Sequence, residues 1–136
     1  MKRNSNWTLP AVILLGGAPL LGAVGPLAHD REPTLQTLPE GVTAAMVTTG
    51  KALFDKEGAC YTCHGPDGAG TGLAPSLGDA VWLHSDGSYP ALVKQITEGV
   101  PQPKESMIPM LPKGGAQITD EQIAAIAAYV WSLSHD

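Results

Sequence analysis

The pentapeptide Cys60-Tyr61-Thr62-Cys63-His64 constrains this chain more than any other feature, because it holds both cysteines the sequence contains. A disulfide between them would close a short, strained loop and staple almost nothing. A thioredoxin-like redox pair needs a βαβ setting, and no stretch of the chain reads as a convincing strand. Structural zinc needs four ligands, commonly from a second cluster, and no further cysteine is present. What fits the spacing is covalent haem attachment. Two thiols a fixed short distance apart on one turn add to the two vinyl groups of one porphyrin edge. The adjacent His64 then falls where its imidazole reaches the iron.

Such a group would also solve a packing problem. The chain is 136 residues long, enough for one domain. Apolar residues make up 43%, but many lie in the first 28 positions, and aromatics are only 5%, with a single Phe. A domain with so few large side chains is marginal on burial alone. A large apolar plate at its centre would supply the missing core.

The N-terminus reads as an export signal. Lys2 and Arg3 precede an uncharged run from Thr8 to Ala28 that includes Ala11-Val-Ile-Leu-Leu15. Ala23-Val24-Gly25 has small residues where cleavage needs them, although Pro26 follows, and Leu21-Gly22-Ala23 is a second candidate. The same run is long enough for a bilayer-spanning helix of roughly 20 residues. Residues 1–28 are therefore a signal peptide or an N-terminal membrane anchor. Both place the remainder in the periplasm or otherwise outside the cytoplasm, soluble or tied to the outer face of the membrane through residues 8–28. Of the eight basic residues Lys2 and Arg3 belong to the leader, which leaves six against 13 acidic ones, a formal net charge of −7. That balance excludes a nucleic-acid partner and suits either plain solubility or steering toward basic docking faces.

Residues 29–43, with Pro33, Pro39 and Gly41, read as a linker, and 44–136 as the domain. Within it, Ala44 to Lys56 predicts a helix with Met46, Leu53 and Phe54 on one face, ended by Gly58. Gly50 leaves a gap on that surface where another helix can approach. Tyr89 to Glu98 predicts a second helix, with Leu92, Val93 and Ile96 apolar and Gly99 as its stop. A third begins at Thr119, whose spacing to Gln122 makes a capping box. Asp120 and Glu121 occupy its first turn, where the helix dipole favours negative charge. Ile123, Ile126, Ala127, Val130 and Ser134 then recur at steps of three and four. Residues 58–88 and 100–118 read as long loops rich in glycine and proline, a pattern expected of segments that wrap something functional.

Taken in order, Gly50-Lys-Ala-Leu-Phe54, Cys60 to Gly65, Pro75-Ser-Leu77, Met110 with Gly114-Gly115, and Ala128-Tyr-Val-Trp-Ser-Leu133 resemble the class I cytochromes c. Most similar are the bacterial single-haem domains that serve dehydrogenases and oxidases, and the likeness covers about residues 44–134. The resemblance implies an all-α fold, a small cytochrome c of three to five short helices and long loops wrapped around one covalently bound haem c. It implies that Gly50 and Phe54 meet Tyr129 where the first and last helices cross. It implies cofactor contacts from Cys60, Cys63, His64, Pro75 and Met110, with His64 and Met110 as iron ligands and the Pro75 carbonyl accepting from the imidazole. The methionine preceding a Gly-Gly pair by four residues is the ligand in that family. Met110 stands four before Gly114, and Met107, at seven, is the rival in the same proline-rich loop. One departure is Leu111, which stands where the family often has proline. Trp82 is a candidate for a haem propionate or for packing, and His29, His84 and His135 read as surface residues.

The function implied is single-electron transfer between donor and acceptor proteins (a dehydrogenase, an oxidase or another cytochrome). No nucleophile, base or substrate pocket points to an enzyme in its own right. An alternative is a cytochrome c subunit fixed in a membrane dehydrogenase or terminal oxidase complex, and another is a haem-based gas sensor in which the methionine is displaced.

Overall fold

A computed structural model describes residues 37–135. The leader, residues 1–28, and the first part of the linker lie outside the described residues, as does His29. The described part is built of helices and loops. Before the first helix, Val42 N–H donates to the Pro39 carbonyl (3.0 Å) and the Val42 side chain is buried, so the end of the linker is already part of the folded body.

Helix α1 spans Ala44–Asp55. Thr43 caps it, its side chain accepting from Met46 N–H at 3.2 Å. Gly50, Leu53 and Phe54 are its buried residues. Val47 packs against the core one turn earlier, while Met46, expected on this face, lies half-buried at its margin. The chain then tightens: Lys56 and Gly58 both donate to the Leu53 carbonyl, at 3.3 and 2.8 Å. This turn delivers Cys60 to the start of helix α2, the single turn Tyr61–His64.

Helix α3 spans Tyr89–Glu98 with Pro90 in its first turn, where the missing N–H costs nothing. It buries Leu92 and Ile96, and Val93 is partly covered. Helix α4, Asp120–Leu133, carries the expected capping box in full: Gln122 N–H donates to Thr119 Oγ1 (3.3 Å) and Thr119 N–H to Gln122 Oε1 (2.9 Å). Along α4, Ile123, Ile126, Ala127, Tyr129 and Val130 are buried.

Helix α4 is the hub against which α1 and α3 pack. The crossing of α1 and α4 falls at Gly50, where a Cβ would run into the carbonyl of Ala125 and touch Tyr129 Cβ. The close approach lets Phe54 meet Tyr129 edge to face, with centroids 5.4 Å apart and planes at 71°. A polar clamp closes the outside of this junction. Lys51 of α1 bonds Asp67 of the loop after α2, and Tyr129 of α4 donates to the same carboxylate at 3.2 Å. Lys51 holds that carboxyl below the usual range chiefly through this hydrogen bond.

The long loops are more ordered than their composition suggests. In 100–118, Val100 and Met110 form a two-residue antiparallel bridge, Val100 N–H to Met110 O at 2.8 Å and the return bond at 3.1 Å. A 3₁₀ turn, Pro112–Gly115, follows and packs on α3. The loop therefore runs out from the end of α3 and is pinned back to it at Met110.

Candidate functional site

The helices leave a cleft with about 730 Å³ of unfilled space, counting its part open to solvent. Its walls are mostly apolar: Phe54, Leu77, Leu92, Ile96, Ile126 and Val130. Cys60, Cys63, His64, Trp82 and Met110 line the same cleft. The residues singled out by motif on α2 and by spacing in the loop after α3 are thus brought together across 50 positions of sequence.

His64 is fixed from behind. Its Nδ1 lies 3.0 Å from the Pro75 carbonyl oxygen. A carbonyl only accepts, so Nδ1 carries the proton and Nε2 keeps its lone pair. Burial lowers the pKa of this imidazole, and the bond to Pro75 opposes that shift without reversing it. A neutral ring with a free Nε2 is the form that binds a metal. The loop after α2 sets this contact up. Gly70 N–H donates to the His64 carbonyl (2.6 Å), Leu77 N–H to Gly68 O (2.7 Å) and Thr71 Oγ1 to Cys63 O (2.5 Å). These bonds fold residues 65–77 back over α2 and put the Pro75 carbonyl behind the ring.

The two cysteines are not joined to each other, and both are half-buried. Burial pushes the Cys60 thiol up to about 11, and its Sγ lies 3.4 Å from the Gly58 carbonyl.

The two methionines of the loop part company. Met110, held by its bridge to Val100, is partly buried against the core and lines the cleft. Met107 is 91% exposed and does not line it. Pro109 and Leu111 complete that part of the wall.

Trp82 lines the cleft with its indole against Gly87. His84 is more than the surface residue expected. It is half-buried, and its Nε2 accepts from Lys104 N–H at 3.1 Å, tying the loop before α3 to the loop after it. His135 is exposed, as expected, and stacks on Trp131 at 4.0 Å.

One cleft residue escaped the sequence reading. Gln95 of α3 lines the cleft, and its Oε1 is buried with no hydrogen-bond partner among the described residues. Such an orphan marks a place where another group belongs. An apolar slot with two thiols at one edge, an imidazole lone pair and a thioether sulfur has the donor set that a covalently held iron porphyrin takes. The residues present fit that group.

The comparisons agree. The family described as cytochrome c matches residues 47–134. The chain belongs to the cytochrome c family. Covalently bound haem c and one-electron carriage go with that membership, and the fold is the small all-α fold expected. Among its relatives, this cytochrome c domain is 34% identical over 106 residues to the cbb3-type cytochrome c oxidase subunit CcoP of Rubrivivax gelatinosus, covering 74% of this chain and 30% of that one. It is 30% identical over 104 residues to CcoP of Cereibacter sphaeroides, covering 75% and 32%. The corresponding subunit FixP of Rhizobium meliloti is 33% identical over 91 residues, covering 65% and 28%. The chain thus spans less than a third of the length of these oxidase subunits. Among solved structures, cytochrome cL from the marine methylotroph Methylophaga aminisulfidivorans matches with a TM-score of 0.52 and 28% identity, over 67% of this chain and 55% of that one.

Proposed function

We propose that this cytochrome c domain is the electron-carrying part of a membrane-bound oxidase complex and receives and passes single electrons at the outer face of the membrane. The observation that carries the reading is that Cys60, Cys63, His64 and Met110 line one and the same cleft. The similarity to cbb3-type oxidase subunits favours a fixed place in such a complex over a free shuttle. Residues 8–28 would serve as the tether. Among the described residues no helix is long and apolar enough to cross a membrane.

Five residues at and behind the cleft have a part in this reading. Cys60 and Cys63 hold the haem by thioether bonds, so it cannot be lost by dilution. His64 would offer Nε2 to the iron, and Pro75 fixes the ring and raises its basicity by accepting from Nδ1. Met110 would supply a thioether ligand, which favours ferrous iron and so raises the potential. The apolar walls exclude water and keep the local dielectric low. When bound, the haem supplies a one-electron couple between ferric and ferrous iron.

The test is purification of the tagged full chain from membranes of its own host. The reading expects the tag in the membrane fraction, co-eluting with cyanide-sensitive oxygen-reducing activity. A haem-loaded chain found wholly in the soluble fraction, with no such activity attached, would favour the free shuttle.

A further inference from the structure

The polar clamp at the α1–α4 junction also holds the loop that passes behind His64. Asp67 is its centre. Lys51 Nζ and Tyr129 Oη both donate to Asp67 Oδ1, the hydroxyl at 3.2 Å, and Lys51 Nζ lies 3.4 Å from Tyr129 Oη. The Lys51 and Asp67 side chains are 49% and 69% exposed, and an isolated ion pair so placed adds little to stability. Yet Asp67 takes φ +51°, a left-handed conformation that a non-glycine residue keeps only where its surroundings hold it. The two partners from α1 and α4 provide that hold.

From Asp67 two short links lead to the Pro75 carbonyl. Gly68 is buried, and a Cβ there would meet Leu133 of α4 and Leu77. Its carbonyl accepts from Leu77 N–H at 2.7 Å, two residues beyond Pro75. Gly70 donates to the His64 carbonyl at 2.6 Å, and a Cβ on it would lie 3.1 Å from the Pro75 carbonyl carbon. Residues 67–70 therefore set where the Pro75 oxygen stands, 3.0 Å from His64 Nδ1.

We propose that Asp67, clamped by Lys51 and Tyr129, is a positioning residue for His64: it holds the 65–77 loop so that the Pro75 carbonyl stays on Nδ1. Accepting from Nδ1 makes the ring a richer donor through Nε2. A richer donor favours ferric iron, so an intact clamp lowers the potential. Slackening it lets the carbonyl draw away from Nδ1, and the potential rises.

The inference rests on His64 being an iron ligand, and the experiment separates the two. The haem-loaded wild type, Tyr129→Phe and Lys51→Met are compared by redox titration and by ¹H–¹⁵N spectra of the ferrous form labelled at histidine. Tyr129→Phe removes one hydroxyl, leaves the charge unchanged and keeps the ring that meets Phe54. Lys51→Met removes a positive charge, which by charge alone favours ferric iron and lowers the potential, so the sign of its shift separates positioning from electrostatics. In both variants the ferrous-to-ferric ratio at a fixed potential should rise about twofold, which at ~59 mV per tenfold for one electron is a rise of about 18 mV. The His64 Nδ1 proton should exchange faster with solvent in both than in the wild type. A potential unchanged or lowered in either variant, or an Nδ1 proton that exchanges at the wild-type rate, would overturn this inference alone. A wild type in which no histidine ring is shifted by the haem would overturn His64 ligation, and this inference with it.

Discussion

Replacing Gly50 by alanine tests the packing on which the whole cleft depends. The new Cβ would lie 2.6 Å from the Ala125 carbonyl carbon, 2.9 Å from Tyr129 Cβ, and closer still to the Ala125 oxygen. Two of these atoms are helix backbone and the third is a Cβ, so no rotamer change relieves the contact, and α1 and α4 must move apart. Alanine gains about 1 kcal/mol over glycine in helix propensity. Against that, forcing a methyl group into a packed junction costs about 1–3 kcal/mol. Opening the junction also weakens the Phe54–Tyr129 contact, since edge-to-face pairs contribute about 0.5–1.5 kcal/mol beyond area. The net expected loss is about 1–2 kcal/mol. In a domain of this size 1 kcal/mol moves Tm by about 4–8 °C, so Gly50→Ala should melt roughly 10 °C lower. Thermal melts of the haem-loaded protein, followed by far-UV circular dichroism, measure this. Gly72→Ala is the control, because nothing lies within 4 Å of a Cβ there. If Gly50→Ala melts within about 2 °C of wild type, a shift inside the ±0.5 kcal/mol of ordinary surface changes, the account of the helix crossing is wrong.

Three further outcomes are expected. Met110→Ala should abolish the near-infrared charge-transfer band and lower the potential, while Met107→Ala, truncating a side chain that is 91% exposed, should leave both nearly intact; the reverse would reassign the sixth ligand. The Cys60→Ala, Cys63→Ala double variant made without haem should lack a cooperative melt by circular dichroism, because Phe54, Ile123 and Ile126 are the large side chains that are fully buried and a cleft lies beside them. Asp67 has a depressed pKa in the folded state, so its contribution is present above the unfolded value of about 3.9 and lost as pH falls through the folded one; urea melts of wild type and Asp67→Asn should differ at neutral pH and converge in acid, and a difference that persists there would contradict the clamp.

Much of this was legible in the chain because local rules and tertiary needs agree. The Thr119–Gln122 capping box, the Gly99 stop and the Gly50 gap each express one physical requirement that a single residue type meets. The attachment motif is legible for the same reason: its spacing answers to the cofactor rather than to the fold. The bridge between Val100 and Met110 was not, since a pair of single residues carries no alternation to detect. The Lys51–Asp67–Tyr129 clamp joins residues 16 and 62 positions apart, and each looks like an ordinary surface or core residue by itself. Gln95 escaped because a glutamine beside an apolar helical stripe reads as solvent-facing, and only the cleft reveals that its Oε1 is buried. Met110 could be preferred to Met107 by spacing to Gly114, but extended geometry gives both sulfurs similar directions; burial separates them.

The central claim is that this cleft holds its haem by two thioether bonds, and it is tested most directly by the mass of the peptide carrying residues 57–94 after acidified organic extraction. The account predicts that this tryptic peptide retains the full mass of one haem, with neither Cys60 nor Cys63 open to alkylation. Haem recovered wholly in the solvent, with both cysteines alkylated at their unmodified mass or joined to each other, would contradict it.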